Sequence, residues 1–393
     1  MRRLSYLRSL VIGAVVAACG AGLLTALPSA TAVEADTGPR DESLDFRFPA
    51  ADLMRVPDTN TYIAVGASIP GKKLPYTKVE FADGSFQRRG AIDGDAWDGV
   101  TFPTGYWARR DSPLWTPSMF AHQEDGRVVY YVFYSAALPG PEPDGQAKHC
   151  IGYATSLRAT GGFVANADPL FCPGHGWAID ADVSRGQGEV WLTLRNGAWT
   201  QNRITALGAA KLEFDRARHV RRLSEDDAKK LIDNANLEWT HHNSPAEDVL
   251  TIENPNAVRI DGEWFLFYSG NNWYANRYST GVAYCGTALT GNRCTPMYEQ
   301  RAYFSYEPDP EGEPRFRPGL PDKYRKKNLP GNKRGPGAFT AFPAPDGSWW
   351  ASWNYITDAS LLPQEDPSPE RRSRIARLTK TGSGATADFT VTW

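Results

Sequence analysis

The sequence predicts an all-β fold, a five-bladed β-propeller, and three observations predict it. A tight-turn signal followed by a short β-branched or aromatic run recurs five times along the chain. These turns lie roughly 60 to 85 residues apart, somewhat more than the period of regular propeller repeats. No sustained helical periodicity separates them, which favours hairpin-rich units closed around an axis over a sandwich.

In chain order, Pro57-Asp58 precedes Thr61-Tyr62-Ile63-Ala64-Val65-Gly66, and Asp125-Gly126 precedes Val128-Val129-Tyr130-Tyr131-Val132-Phe133-Tyr134-Ser135. Gly186-Gln187-Gly188 precedes Val190-Trp191-Leu192-Thr193-Leu194. Asp261-Gly262 precedes Trp264-Phe265-Leu266-Phe267-Tyr268-Ser269, and Asp346-Gly347 precedes Trp349-Trp350-Ala351-Ser352-Trp353. A third strand follows in most units. Ile151-Gly152-Tyr153-Ala154-Thr155-Ser156 and Gly281-Val282-Ala283-Tyr284-Cys285 resemble each other, and residues 203–207 and 374–378 are weaker versions. One short surface helix is expected over residues 224–234, where Ser224 and Asp227 approximate a capping box. Residues 306–333, rich in Pro, Gly and charge, read as a long loop.

Residues 1–32 read as a targeting segment: Arg2, Arg3 and Arg8 precede an apolar run, and Ala30-Thr31-Ala32 fits a cleavage site. Val16-Ala17-Ala18-Cys19 also fits a lipoprotein box, but the apolar run continues through Leu23, Leu24 and Leu27, which favours free secretion. Residues 33–393 then form a single propeller domain with no linker dividing it and no further apolar run to span a membrane. Net charge of -2 gives no reason to expect nucleic acid or an anionic membrane as partner. Aromatic content of 12%, including 13 Trp, exceeds what a core needs and suits a cleft that stacks sugars. Trp115, Trp177 and Trp273 are the candidate sugar-binding rings, while Trp97 and Trp107 lie in similar connections. No nucleotide or nucleophile motif occurs, so no cofactor is expected. His241-His242-Asn243 and the Asp93, Asp95, Asp98 cluster lack metal-ligand spacing and read as loops, so no metal is expected. Glu253 precedes Asn254-Pro255 at the mouth of an apolar hairpin. A partly desolvated Glu there has a raised pKa and suits proton donation, the alternative being a surface loop Glu.

Six segments resemble family-43 glycoside hydrolases, inverting enzymes on a five-bladed propeller that act mostly on arabinan, arabinoxylan and xylan. Phe48-Pro49-Ala50-Ala51-Asp52-Leu53-Met54-Arg55-Val56 resembles F-P-D-P-S-L-I-R-V, and Trp115-Thr116-Pro117-Ser118 resembles W-A-P-D. Cys150-Ile151-Gly152-Tyr153-Ala154-Thr155-Ser156 resembles C-I-G-V-A-T-S, with Cys172 where a partner cysteine is common. Ile179-Asp180-Ala181 resembles I-D-P, Ile252-Glu253-Asn254-Pro255 resembles V-E-N-P, and Gly335-Pro336-Gly337-Ala338 resembles G-P-G-H. The resemblance implies that Glu253 is the general acid and Asp180 the residue that positions it and keeps its pKa raised. It also implies an oligosaccharide or polysaccharide substrate; a monomer is expected. The cysteines left after Cys19 pair as Cys150–Cys172 and Cys285–Cys294, each pair bracketing a short segment after a blade strand.

Three positions depart from the family pattern: the base Asp is Ala50, the Asp of W-A-P-D is Ser118, and the His of G-P-G-H is Ala338. An inverting glycosidase needs a second carboxylate roughly 6.5–9.5 Å from the acid to activate water. Asp52 is the candidate replacement base: it shares the strand face of Ala50 but is displaced by about 6.5 to 7 Å along the strand, so it is expected off the reactive position. Two readings follow. The chain is a secreted hydrolase of arabinose- or xylose-containing polysaccharide, or it is a glycan-binding propeller that keeps the cleft without the base. A propeller with no glycan site is disfavoured by the retained Glu253 and Asp180.

Overall fold

The computed structural model describes residues 45–392, apart from 89–91, 141–146, 201–203, 216–217, 241–250, 272, 274–277, 306–326, 329–333 and 357–370. The targeting segment and the His241-His242 pair lie outside the described residues. Five sheets, antiparallel but for one short parallel pair at the edge of the fourth, follow one another along the chain as the five blades of a β-propeller. Blade I runs Asp52–Arg55, Thr61–Val65, Pro75–Ala82 and Ser85–Arg88. Blade II is Trp115–Glu124, Arg127–Ala137, His149–Ser156 and Val164–Ala165. Blade III is Ala178–Gly186, Glu189–Asn196, Ala206–Lys211 and Lys229–Asp233. Blade IV is built on Ile252–Ile260, Glu263–Gly270 and Ser279–Gly286, and blade V on Arg334–Pro343, Trp349–Ile356 and Arg371–Thr381. The early strand Asp45–Phe46 pairs with Arg371–Thr381, so the start of the propeller completes its last blade. Ring closure therefore uses backbone hydrogen bonds as well as packing.

The strand period of two explains where the core sits. In Arg127–Ala137, Tyr130, Val132 and Tyr134 pack against blade I, while Val129, Tyr131 and Phe133 pack against blade III. Each blade is thus apolar on both faces, and the buried side chains fall into five clusters, one per seam between neighbours. Burial on both faces accounts for near-continuous runs such as Trp264-Phe265-Leu266-Phe267-Tyr268, which carry no polar alternation. Trp97 and Trp107 join the seam between blades I and II and are packing residues.

The expected helix at 224–234 is not there. Asp227 accepts from the Ser224 backbone and hydroxyl at 2.7 Å each, but the cap opens only the 3-10 turn Glu225–Asp227. The chain then extends as Lys229–Asp233, whose Leu231 and Ile232 are buried at the seam with blade IV. Tertiary burial at a strand edge overrides a local helix signal. The third strand of blade III begins at Ala206 rather than 203, and within the long 306–333 loop Lys327–Asn328 pairs with Phe304–Ser305. Asp95 accepts from the backbone N–H groups of Lys73, Leu74 and Trp97, and Asp93 from that of Lys78. Those carboxylates organise turns.

Both expected disulfides are present, Cys150–Cys172 and Cys285–Cys294, spanning 22 and 9 residues. No helix among the described residues is long and apolar enough to cross a membrane. Loop-closure entropy gives about 3 kcal/mol of stabilisation for each bridge, slightly more for the longer loop. Urea unfolding of the Cys150→Ala/Cys172→Ala and Cys285→Ala/Cys294→Ala proteins is expected to show losses of that size, larger for the first pair.

Candidate active site

The innermost strands converge on the axis, and each is kinked there by one residue in the left-handed region: Ala50 (φ 52), Thr116 (φ 38), Asp180 (φ 62), Asn254 (φ 49) and Ala338 (φ 47). In blades II to V this residue opens a β-bulge, where the ladder skips between Trp115/Ser118, Ile179/Asp182, Glu253/Asn256 and Gly337/Thr340. A bulge bends its strand and re-aims side chains, which is why it recurs at functional rims. The kink defines equivalent positions. One residue before it stand Pro49, Trp115, Ile179, Glu253 and Gly337. Two residues after it stand Asp52, Ser118, Asp182, Asn256 and Thr340.

A buried backbone N–H at a kink needs an acceptor, and at three of the kinks a second-strand side chain of the preceding blade supplies it. Asp180 N–H donates to Ser135 Oγ at 3.2 Å, Ala338 N–H to Ser269 Oγ at 2.7 Å, and Ala50 N–H to Asn354 Oδ1 at 2.5 Å. Ser135, Ser269 and Asn354 are equivalent, lying opposite Trp115, Glu253 and Gly337 on second strands. In blade III that position, opposite Ile179, is Arg195, which can only donate. Two things follow. Asn254 N–H turns to the carboxylate of Asp180 (Oδ2, 3.1 Å), and Arg195 reaches Glu253 (Nη1 to Oε2, 3.3 Å). One arginine in a serine position thereby couples the two carboxylates of interest.

Glu253 and Asp180 are brought to the same end of the axis, 8% and 5% exposed. Tyr278 Oη donates to Glu253 Oε1 at 2.8 Å and accepts from Asn254 Nδ2 at 2.5 Å. Arg371 lies 4.8 Å over the Tyr278 ring and donates to the carbonyls of Gly335 and Trp273. Thr116 Oγ1 donates to Asp180 Oδ1 at 3.0 Å. Burial first and the Asp180 charge second raise Glu253 to about 7, against the opposing effects of Arg195, Tyr278 and Arg371. Burial also raises Asp180, against Arg195, the Asn254 N–H and Thr116. A carboxyl that titrates near 7 is protonated for part of the time at neutral pH, as a proton donor requires.

Across the axis, blade I presents Ala50, so no carboxylate stands at the kink there. Asp52 belongs to the tier below. Its Oδ2 accepts Met119 N–H at 2.7 Å, and the Ser118 hydroxyl also bonds it. Burial raises Asp52 to about 6 despite those donors. Asp182 in the same tier accepts from Asn256 Nδ2 at 3.0 Å, and burial and the Asp52 charge raise it well above the carboxylate range. Ser118 Oγ in turn accepts Val183 N–H at 3.1 Å, and Asn256 Oδ1 accepts Ala341 N–H at 2.9 Å. This tier clarifies two motif departures. F-P-D-P-S has Ser where Asp52 stands, and W-A-P-D has Asp where Ser118 stands, so a carboxylate and a hydroxyl have exchanged neighbouring blades. Asp52 compensates for Ser118, and Ala50 has no such partner.

Both tiers line one axial cavity, to which Ala50, Asp52, Thr116, Asp180, Asp182 and Ala338 contribute. Of the candidate rings, Trp115 stacks on His149 at 3.9 Å between centroids and lies 6.0 Å from Trp177, just before the blade II kink. Trp273 follows the second strand of blade IV, its carbonyl accepting from Arg371, and is 37% exposed. Among the described residues no group of three His, Cys, Asp or Glu is placed to hold a metal ion. Sequence reading missed Arg195, Tyr278, Arg371 and Thr116. Arg195 carried a signal, a charge closing an apolar strand, and Gly337 marks Tyr278, because a Cβ there would meet the tyrosine ring at 2.1 Å.

The sequence model of glycosyl hydrolases family 43 matches residues 99–384. No curated protein matches the chain significantly. Among solved structures, a thermostable family-43 glycoside hydrolase is 18% identical at a TM-score of 0.58, with 88% of this chain and 93% of that one covered. An alpha-L-arabinofuranosidase from Lactobacillus brevis is 15% identical at 0.59, covering 87% and 93%. An endo-1,4-beta-xylanase from Bacteroides thetaiotaomicron is 17% identical at 0.58, covering 89% and 97%. At these identities the structural likeness speaks for the fold.

The raised Glu253 has a consequence for stability. Its folded value of about 7 exceeds the ordinary 4.5, so the native state binds the proton more tightly than the unfolded chain. That contribution is full below 4.5 and lost as pH rises through about 7. Glu253→Gln, which mimics the protonated form, is expected to unfold at a higher temperature than the wild type at pH 8. Thermal scans across pH 4 to 9 should show the difference vanish on the acid side.

Proposed function

The chain belongs to glycosyl hydrolases family 43, and from that premise we propose that it is a secreted, monomeric, inverting glycoside hydrolase of arabinose- or xylose-containing polysaccharide. The observation that carries this reading is the coupled pair at the axis. Glu253, buried and raised to about 7, is the general acid that protonates the leaving oxygen. Asp180, tethered through Asn254 N–H to the residue after the acid, keeps the proton on Glu253 by its charge. Trp115, Trp177 and Trp273 supply rings for the polymer at the mouth. The two disulfides, and the targeting segment with cleavage near Ala32, support secretion. The arabinofuranosidase and xylanase names carried by two structural neighbours support the sugar class.

The water-activating base is the point on which a second reading rests. With Ala50 at the kink and Asp52 bonded to Met119 N–H in the tier below, a glycan-binding propeller without turnover fits the same cleft. If Asp52 serves as base, it does so through water occupying the space beside Ala50, and general-base assistance is worth about 10²–10⁴-fold. A reducing-sugar assay on arabinans, arabinoxylans and galactans separates the readings. The hydrolase reading expects slow release that Glu253→Gln abolishes and that Ala50→Asp increases by about 10² or more. Loss of turnover in Asp52→Asn would assign the base to Asp52. No release by the wild type or by Ala50→Asp, with retention on an arabinan affinity gel, would establish the binding protein instead.

A further inference from the structure

Of the five left-handed residues at the axis, an aspartate and an asparagine are types that visit that region readily, and two are alanines, which carry only a Cβ. The fifth is Thr116, a β-branched residue at φ 38, where crowding between Cβ substituents and backbone makes such a residue a real outlier. The W-A-P-D pattern has the small Ala at this position. Strain held at a functional rim calls for a compensating contact. Thr116 makes one: its hydroxyl donates to Asp180 Oδ1 at 3.0 Å, while Asn254 N–H donates to Oδ2 at 3.1 Å. The two oxygens of Asp180 are thereby fixed from opposite neighbours, blade II and blade IV.

We propose that Thr116 is a positioning residue that holds Asp180 as an oriented carboxylate and through it keeps the proton on Glu253. The proposal rests on the reading of Glu253 as the acid. The surrounding groups define what Thr116 can do. Arg195 on blade III faces both carboxylates, while Tyr278 on the blade IV side and Arg371 on blade V face Glu253. These cations and donors favour ionisation of Glu253, so retention of its proton depends on burial and on Asp180 being charged. A hydroxyl donating to the ionised form of Asp180 favours that form. Without it, Asp180 competes for the proton and Glu253 ionises at lower pH.

Thr116→Ala and Thr116→Ser test this. Alanine already occupies two of the five kinks, so the first variant folds without new strain, and its thermal midpoint is expected to equal or exceed that of the wild type. Carboxyl-carbon NMR titration of Glu253, identified by its absence in Glu253→Gln, is expected to move to lower pH in Thr116→Ala. Thr116→Ser, which keeps the hydroxyl, is expected to titrate like the wild type. On an aryl arabinoside or xyloside the alkaline limb of the rate profile should move in the same order. The titration needs no turnover. A shifted Glu253 in a protein that hydrolyses nothing would uphold the role of Thr116 and sink the hydrolase reading. An unshifted Glu253 in Thr116→Ala, or equal shifts in the Ala and Ser variants, would overturn the proposal.

Discussion

Five strands that converge on one axis must each bend sharply, and bending releases backbone N–H groups from their ladders in a buried place. An unpaired buried N–H costs about as much as a lost hydrogen bond, so every kink needs an acceptor from outside its own strand. The propeller meets this need blade to blade. Ser135, Ser269 and Asn354 receive the kink N–H groups of the next blade, and Asp52, Ser118 and Asn256 receive those three residues further on. The seams are packed by apolar side chains, but their register is fixed by these bonds. The chemistry of the site grows out of the same arrangement.

Blade III shows how. Its residue in the acceptor position is Arg195, so the serine or asparagine acceptor is missing there. The next blade then takes a carboxylate as acceptor, which orders Asp180, and the displaced guanidinium turns to Glu253. A buried charge pair gains little by itself, because desolvation offsets much of the attraction. Here the gain is in protonation state. The Asp180 charge and two arginines, Arg195 and Arg371, compete over a buried glutamate, burial adds to the side of Asp180, and the balance falls near neutrality. The same groups around an exposed glutamate would be screened into irrelevance.

How much of this could be read in the sequence depended on range. Blades were legible because a strand buried on both faces writes a continuous apolar run between turn residues, as residues 128–135 and 264–269 do. The cysteine pairs were legible because each closes a local segment. Residues 224–234 misled because the Ser224 and Asp227 cap is local, whereas Leu231 and Ile232 answer to a neighbouring blade. Glu253 stood out as a carboxylate at the mouth of an apolar hairpin, and Asp180 through the resemblance of its segment to I-D-P. Thr116, Tyr278 and Arg371 did not, since their partners are distant in sequence and their residue types are common at surfaces and turns. Asp52 was seen as a candidate replacement for the residue at Ala50. Its relation to Ser118 shows only when the two strands are side by side.

That relation indicates which positions of the ring are free to change. At the kinks, the seam is held by the backbone N–H: Ala50 and Ala338 keep their bonds to Asn354 and Ser269 with no polar side chain of their own. At these two kinks the side chain can be lost without weakening the ring; Asp180 is the exception, because its carboxylate accepts the Asn254 N–H of the next blade. In the tier below, the side chain itself is the acceptor, and its removal would strand a buried N–H of the next blade. An exchange there has to be compensated, and Asp52 with Ser118 conserves both one carboxylate and one hydroxyl. Fold and catalysis are thus written in alternate residues of the same strand, so a blade I strand with Ala50 can be structurally complete while its kink carries no base.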